Sequence, residues 1–152
     1  MKVNNKNNSV GATALGRPLL SSESETISFG KYLGEKASPG SVFCLSGDLG
    51  AGKTSLTKGI AQGLGFYGEV TSPTFSLMNI YEGGRLDIYH FDLYRLEKSD
   101  LEGIDYRDYF YSNGVTVIEW PEKALEYMPE KAVFIKINIL ENGREVVYDT
   151  CT

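Results

Sequence analysis

Eight consecutive residues, Gly47-Asp48-Leu49-Gly50-Ala51-Gly52-Lys53-Thr54, constrain this chain more than any other feature. They satisfy the pattern of glycine, any four residues, glycine, lysine, and serine or threonine. The run before them, Ser41 to Ser46, reads Ser-Val-Phe-Cys-Leu-Ser, the pattern of a short strand buried on both faces. The run after them places Leu56, Ile60, Ala61 and Leu64 three and four apart, which predicts an amphipathic helix from Lys53 to about Leu64, ended by Gly65. The bare pattern arises by chance in roughly one chain of this length in two hundred. Strand, glycine loop and helix in immediate succession are the context that gives it meaning.

Each position has a mechanical reason. Glycines let the backbone wrap closely round phosphate, successive N–H groups turn inward, and the helix offers its positive end to the anion. Gly47, Asp48, Leu49, Gly50, Ala51 and Gly52 therefore form the cradle, Lys53 reaches the terminal phosphates, and the Thr54 hydroxyl is placed for Mg²⁺. Such a loop also needs an acid at the end of a neighbouring strand to hold the metal and orient water. Two acids close apolar runs: Glu119 after Val115 to Ile118, and Asp92 after Leu86 to Phe91. In an open α/β sheet, ligands gather at the carboxyl ends of the strands, so both are candidates for catalytic and metal roles. A solvated strand-end acid is the competing reading for each. Thr71-Ser72-Pro73-Thr74-Phe75 follows the helix and is either a γ-phosphate-sensing segment or a hydroxyl-rich turn.

The rest of the chain reads as one α/β domain over residues 21–152. Residues 1–20 are rich in Asn, Ser and Gly without apolar period, which predicts a disordered leader, with order beginning near Ser21. Ser22 and Ser24 offer caps for a helix to about Ala37, stopped by Pro39-Gly40. Ser76 to Tyr81 and Leu86 to Asp92 flank Glu82-Gly83-Gly84-Arg85 as a hairpin. Short helices are expected over Ser99 to Leu101 and Asp105 to Tyr111, then a buried strand from Val115 to Glu119. Val133 to Leu140 and Arg144 to Tyr148 form a second hairpin about Glu141-Asn142-Gly143.

Composition sets outer limits. The formal charge of −5 argues against a broad basic surface, so no strong direct nucleic-acid binding is expected. Apolar stretches are too short for a membrane span or secretory signal, and the expected compartment is the cytoplasm. Cys44 and Cys151 sit in unlike settings and predict no disulfide; one histidine, His90, gives no zinc spacing and reads as a packed, hydrogen-bonded side chain.

Four motifs, Gly-Asp-Leu-Gly-Ala-Gly-Lys-Thr at 47 to 54, Thr-Ser-Pro-Thr-Phe at 71 to 75, Tyr-His-Phe-Asp-Leu-Tyr-Arg at 89 to 95 and Ile-Glu-Trp-Pro at 118 to 121, resemble the TsaE (YjeE) family in order and spacing. The resemblance covers roughly Ser21 to Asp149. It implies a P-loop NTPase fold with a central mixed sheet, and an ATPase that is weak alone and acts with TsaB and TsaD in threonylcarbamoyladenosine modification of transfer RNA. The ATP cycle is expected to reset that complex. Carried over by position, Thr54 and Glu119 resemble the family's Mg²⁺ ligands, Asp92 its additional acid, and Trp120 its functional tryptophan. Glu23, Ser55, Thr74 and Arg144 fall at positions near ATP or ADP. Ser55 stands where many relatives carry threonine, which keeps the hydroxyl. A small-molecule kinase shares the P-loop but needs a basic lid, and only five arginines occur, none clustered. A nucleotide sensor without useful hydrolysis is the non-enzymatic alternative.

Overall fold

The strand Val42–Ser46 (β3) carries the layering of the molecule in its alternation. Phe43 and Leu45 join one core cluster, with Phe29, Leu33, Leu56 and Ile60; Val42 and Cys44 join another, with Phe91, Phe110 and Ile118. A central strand apolar on both faces needs cover on both, and helices supply it on each side.

The computed structural model describes residues 11–14, 17–73 and 76–148. Around β3, the other elements in chain order are β1 Gly11–Ala14, β2 Arg17–Leu20, α1 Glu23–Lys36, α2 Lys53–Gly63, β4 Met78–Tyr81, β5 Ile88–Asp92, α3 Lys98–Glu102, α4 Tyr106–Phe110, β6 Val115–Glu119, a 3-10 segment Pro121–Tyr127, β7 Val133–Leu140 and β8 Gly143–Tyr148. The sheet order is β1-β2-β8-β7-β3-β6-β5-β4. Strands β7, β3, β6 and β5 run parallel, and antiparallel pairs extend the sheet at both edges. The expected mixed sheet is present, with both hairpins. Among the described residues, no helix is long and apolar enough to cross a membrane.

One expectation needs correction. The chain is ordered before Ser21, because β2 pairs with β8 through Leu19↔Glu145 and Leu20↔Arg144, and Leu20 is fully buried. Completely burying a leucine side chain contributes about 1.5–3 kcal/mol. The surrounding sequence hid this anchor, since a four-residue strand gives too few positions to show a period. The remainder of the expected leader, residues 1–10, 15 and 16, lies outside the described residues, as does Cys151.

Helices α1 and α2 are packed backbone to backbone on one face of the sheet. A methyl group added at Gly59 would lie 2.2 Å from the Ile27 carbonyl oxygen, and one at Gly30 would lie 2.4 Å from that of Leu56. Gly34 and Gly63 repeat the contact one turn on. Only glycine permits this approach, and its effect is to fix the start of α1 against the start of α2, where the phosphate loop ends.

Candidate nucleotide site

The loop between β3 and α2 has the backbone its glycines allow. Gly47, Gly50 and Gly52 take φ of 145°, 81° and 113°, and Gly52 serves as the left-handed N-cap of α2. Among the described residues no side chain caps that helix and no acid stands in its first turn, so its positive end is left facing the loop. This is the arrangement that accepts an anion.

Lys53, the first residue of α2, is buried. Its ammonium donates to the carbonyls of Gly47 at 2.5 Å and Asp48 at 3.0 Å, and lies 4.3 Å from the centre of the Trp120 ring. Burial lowers its pKa, opposed by the charges of Glu119, Asp92, Glu122 and Asp48. Thr54 Oγ1 is 3.0 Å from Ser72 Oγ, which ties the helix start to the following loop. Thr74, expected to touch nucleotide, lies outside the described residues. Leu49 stands exposed at the tip of the phosphate loop.

A second group lies on the other side of the loop. Ser55 donates to Glu23 Oε2 at 2.8 Å, joining α2 to α1. On β8, Arg144 Nε donates to the Ala51 carbonyl at 3.1 Å and Nη2 to that of Gly50 at 3.4 Å. Glu23, Thr26, Gly52, Ser55 and Arg144 line a cavity of about 280 Å³ beside the phosphate loop. Glu23, Ser55 and Arg144, far apart in the chain, thus meet at one place.

The acids meet on the opposite flank. Strands β5 and β6 are parallel and in register, which sets Asp92 beside Glu119. Burial, joined by the charge of Glu119, raises the Asp92 carboxyl above its ordinary pKa, against the Tyr94 N–H bond that lowers it. Glu119 is 2% exposed, and its Oε2 accepts from His90 Nε2 at 2.6 Å. Among the described residues no group of three His, Cys, Asp or Glu forms a metal cage. One hydroxyl and two carboxylates instead suit a hard cation that completes its shell with phosphate oxygens and water.

Trp120 follows at φ 61°, ψ 50°, the one non-glycine residue with positive φ among those described. A bulky residue held there stores on the order of 1–3 kcal/mol of strain. Its N–H donates to the Leu45 carbonyl, and its ring packs on Tyr94 and faces Lys53. The strained turn therefore places an aromatic wall over the lysine.

The sequence profile of the family described as "Threonylcarbamoyl adenosine biosynthesis protein TsaE" matches residues 20–146. This chain belongs to the TsaE family. It is 42% identical over 127 residues to the Treponema pallidum protein named "tRNA threonylcarbamoyladenosine biosynthesis protein TsaE", covering 83% of this chain and 93% of that one. The Bacillus subtilis protein of the same name is 41% identical over 126 residues, covering 82% and 78%. The crystal structure of Bacillus subtilis YdiB superposes with a TM-score of 0.73 at 32% identity, covering 93% of this chain and 86% of that one. The P-loop NTPase fold of this TsaE protein is thereby established, and with it membership of a nucleotide-binding family.

Sequence reasoning treated His90 as packing and did not single out Tyr81. His90 is indeed buried and hydrogen-bonded, but its partners are Glu119 and the Tyr81 hydroxyl, 2.9 Å from Nδ1. The signal available was spacing: His90 precedes Asp92 by two on one strand, which puts both on the same face.

Proposed function

We propose that this chain is the ATP-binding and ATP-hydrolysing accessory subunit of transfer RNA threonylcarbamoyladenosine synthesis, working in the cytoplasm with TsaD and TsaB. The observation that carries the reading is the convergence of an uncapped helix start, a buried lysine and two in-register acids on one glycine loop. Gly47 to Thr54 enclose the phosphates of ATP or ADP, with Lys53 against the terminal ones. Glu23, Ser55 and Arg144 border the same nucleotide from the side of α1 and β8, and Trp120 walls off the lysine. Thr74 is assigned to nucleotide by the family resemblance alone.

Thr54, Glu119 and Asp92 would hold Mg²⁺, which when bound neutralises phosphate charge and orients its oxygens. The two adjacent acids, side by side in register with Lys53 acting on both, give a divalent cation a reason to bind. With Lys53, Asp92 and Glu119 as its catalytic set, the chain lacks the basic lid of a kinase. Turnover is slow alone and rises with the partner subunits. The net charge of −5 fits a subunit that leaves the grip on RNA to others.

The test is phosphate release from ATP and Mg²⁺, with and without TsaB and TsaD, beside a screen of small acceptors. Stimulation by the partners, lost in Lys53→Ala, is the expected result. Rapid transfer to a small acceptor, or full turnover in Lys53→Ala, would overturn it.

A further inference from the structure

The phosphate site is joined to itself by a chain of polar contacts, buried from Tyr81 through His90 to Glu119, that leaves it at one end and returns at the other. Thr54 Oγ1 meets Ser72 Oγ at 3.0 Å. The preceding residue, Thr71, offers its carbonyl to the Tyr81 hydroxyl at 3.1 Å and to Asn79 Nδ2 at 3.0 Å. Tyr81 is 2.9 Å from His90 Nδ1, and His90 Nε2 is 2.6 Å from Glu119. His90 is fully buried and Glu119 and Tyr81 nearly so. Placing such polar groups inside a sheet is costly unless each is partnered, and an apolar side chain would serve packing alone better.

We propose that Tyr81 and His90 are positioning residues through which the loop at 71–73 controls the aim of Glu119; the idea rests on the ATPase reading above. The argument is geometric. Tyr81 spans the Thr71 carbonyl and His90, and His90 spans Tyr81 and the Glu119 carboxylate, so a shift at one end of the chain is felt at the other. While Ser72 meets Thr54, the Thr71 carbonyl is held against Tyr81 and the chain runs from the loop to Glu119. Once nucleotide draws Thr54 away from Ser72, the loop shifts, Tyr81 and the His90 ring follow, and the Glu119 carboxylate is re-aimed. Asn79 remains as a donor to Thr71, so the carbonyl is never stranded.

Tyr81→Phe removes the hydroxyl and keeps the ring, which packs 5.0 Å from Phe66. In the full chain with TsaB and TsaD, its kcat for phosphate release is expected to fall about three- to tenfold, the loss of one net hydrogen bond. The Kd for fluorescent ADP stays within about twofold. His90→Ala loses more, and His90→Gln, whose amide can donate to Glu119, recovers part of it. Hydrogen exchange at the Thr71 and Ser72 amides of nucleotide-free protein is faster in Tyr81→Phe, and not in Phe66→Leu matched to it in Tm. Wild-type turnover in Tyr81→Phe, equal losses in Phe66→Leu, or His90→Gln no better than His90→Ala would overturn the proposal. Unchanged amide exchange would overturn it too, and that measurement needs no turnover. If wild-type protein itself failed to hydrolyse ATP with its partners, the ATPase reading would fall while the exchange result still judged the relay.

Discussion

Gly59→Ala sets two effects of opposite sign against each other. Gly59 lies inside α2, where alanine is intrinsically the better helix former by about 1 kcal/mol. Propensity alone therefore predicts a more stable protein. The added methyl, however, would sit 2.2 Å from the Ile27 carbonyl oxygen and 2.9 Å from the Gly30 Cα, both backbone atoms of α1. Ordinary contact begins near 3.4 Å, so α1 must retreat by about 1 Å, and overpacking of this kind costs typically 1–3 kcal/mol and sometimes more. With no flexible side chain to absorb the strain, the upper part of that range applies, and the net loss is about 1–2 kcal/mol after the propensity gain. For a chain of this size that is a Tm lower by about 3–8 °C. Retreat of α1 also pulls Glu23 from Ser55, so ADP affinity should fall with stability. Urea unfolding with and without ADP measures both. A variant as stable as wild type or more so, with unchanged ADP binding, would refute the argument from close backbone packing.

Arg144→Ala leaves the carbonyls of Gly50 and Ala51 without their donors, and ADP binding should weaken about three- to tenfold by fluorescence titration. Glu119→Ala should reduce phosphate release by on the order of a hundredfold while ADP affinity changes less than about threefold; equal losses in both would place Glu119 in binding alone. Asp92→Asn should separate stability from activity. The folded-state pKa of Asp92 is raised, so the stability its neutral carboxyl contributes is complete below the ordinary value of 3.8 and is lost as pH rises through the folded value. At neutral pH the asparagine variant, which keeps an oxygen for the Tyr94 N–H, should melt higher than wild type in metal-free buffer yet hydrolyse more slowly. A lower Tm for that variant across neutral pH would contradict it.

The phosphate cradle was legible in the residues because its chemistry is local: three glycines, a lysine and a threonine within eight positions dictate backbone shape and charge without help from distant chain. The two hairpins were legible for the same reason, since Gly83-Gly84 and Asn142-Gly143 each turn the strand that follows. Burial of Cys44, which pushes its thiol up to about 12, follows from the apolar run it sits in. The strand Arg17–Leu20 was missed because its anchor is a single leucine whose partners lie over a hundred residues away on β8. His90 was seen as packed, but its bond to Glu119 depends on the parallel register of β5 and β6, which no local pattern encodes.

By itself, then, the sequence determined the cradle, the candidate acids and the mixed α/β class, all properties of short stretches whose backbone preferences and side-chain periods are set within a few residues. Only the tertiary structure decided the contacts between them: Trp120 over Lys53, Arg144 on the loop carbonyls, Asp92 beside Glu119, and Tyr81 between Thr71 and His90. Those depend on strand order and on the angstrom-scale approach of α1 to α2. Such distances are fixed by the packing of the whole chain, not by any segment of it.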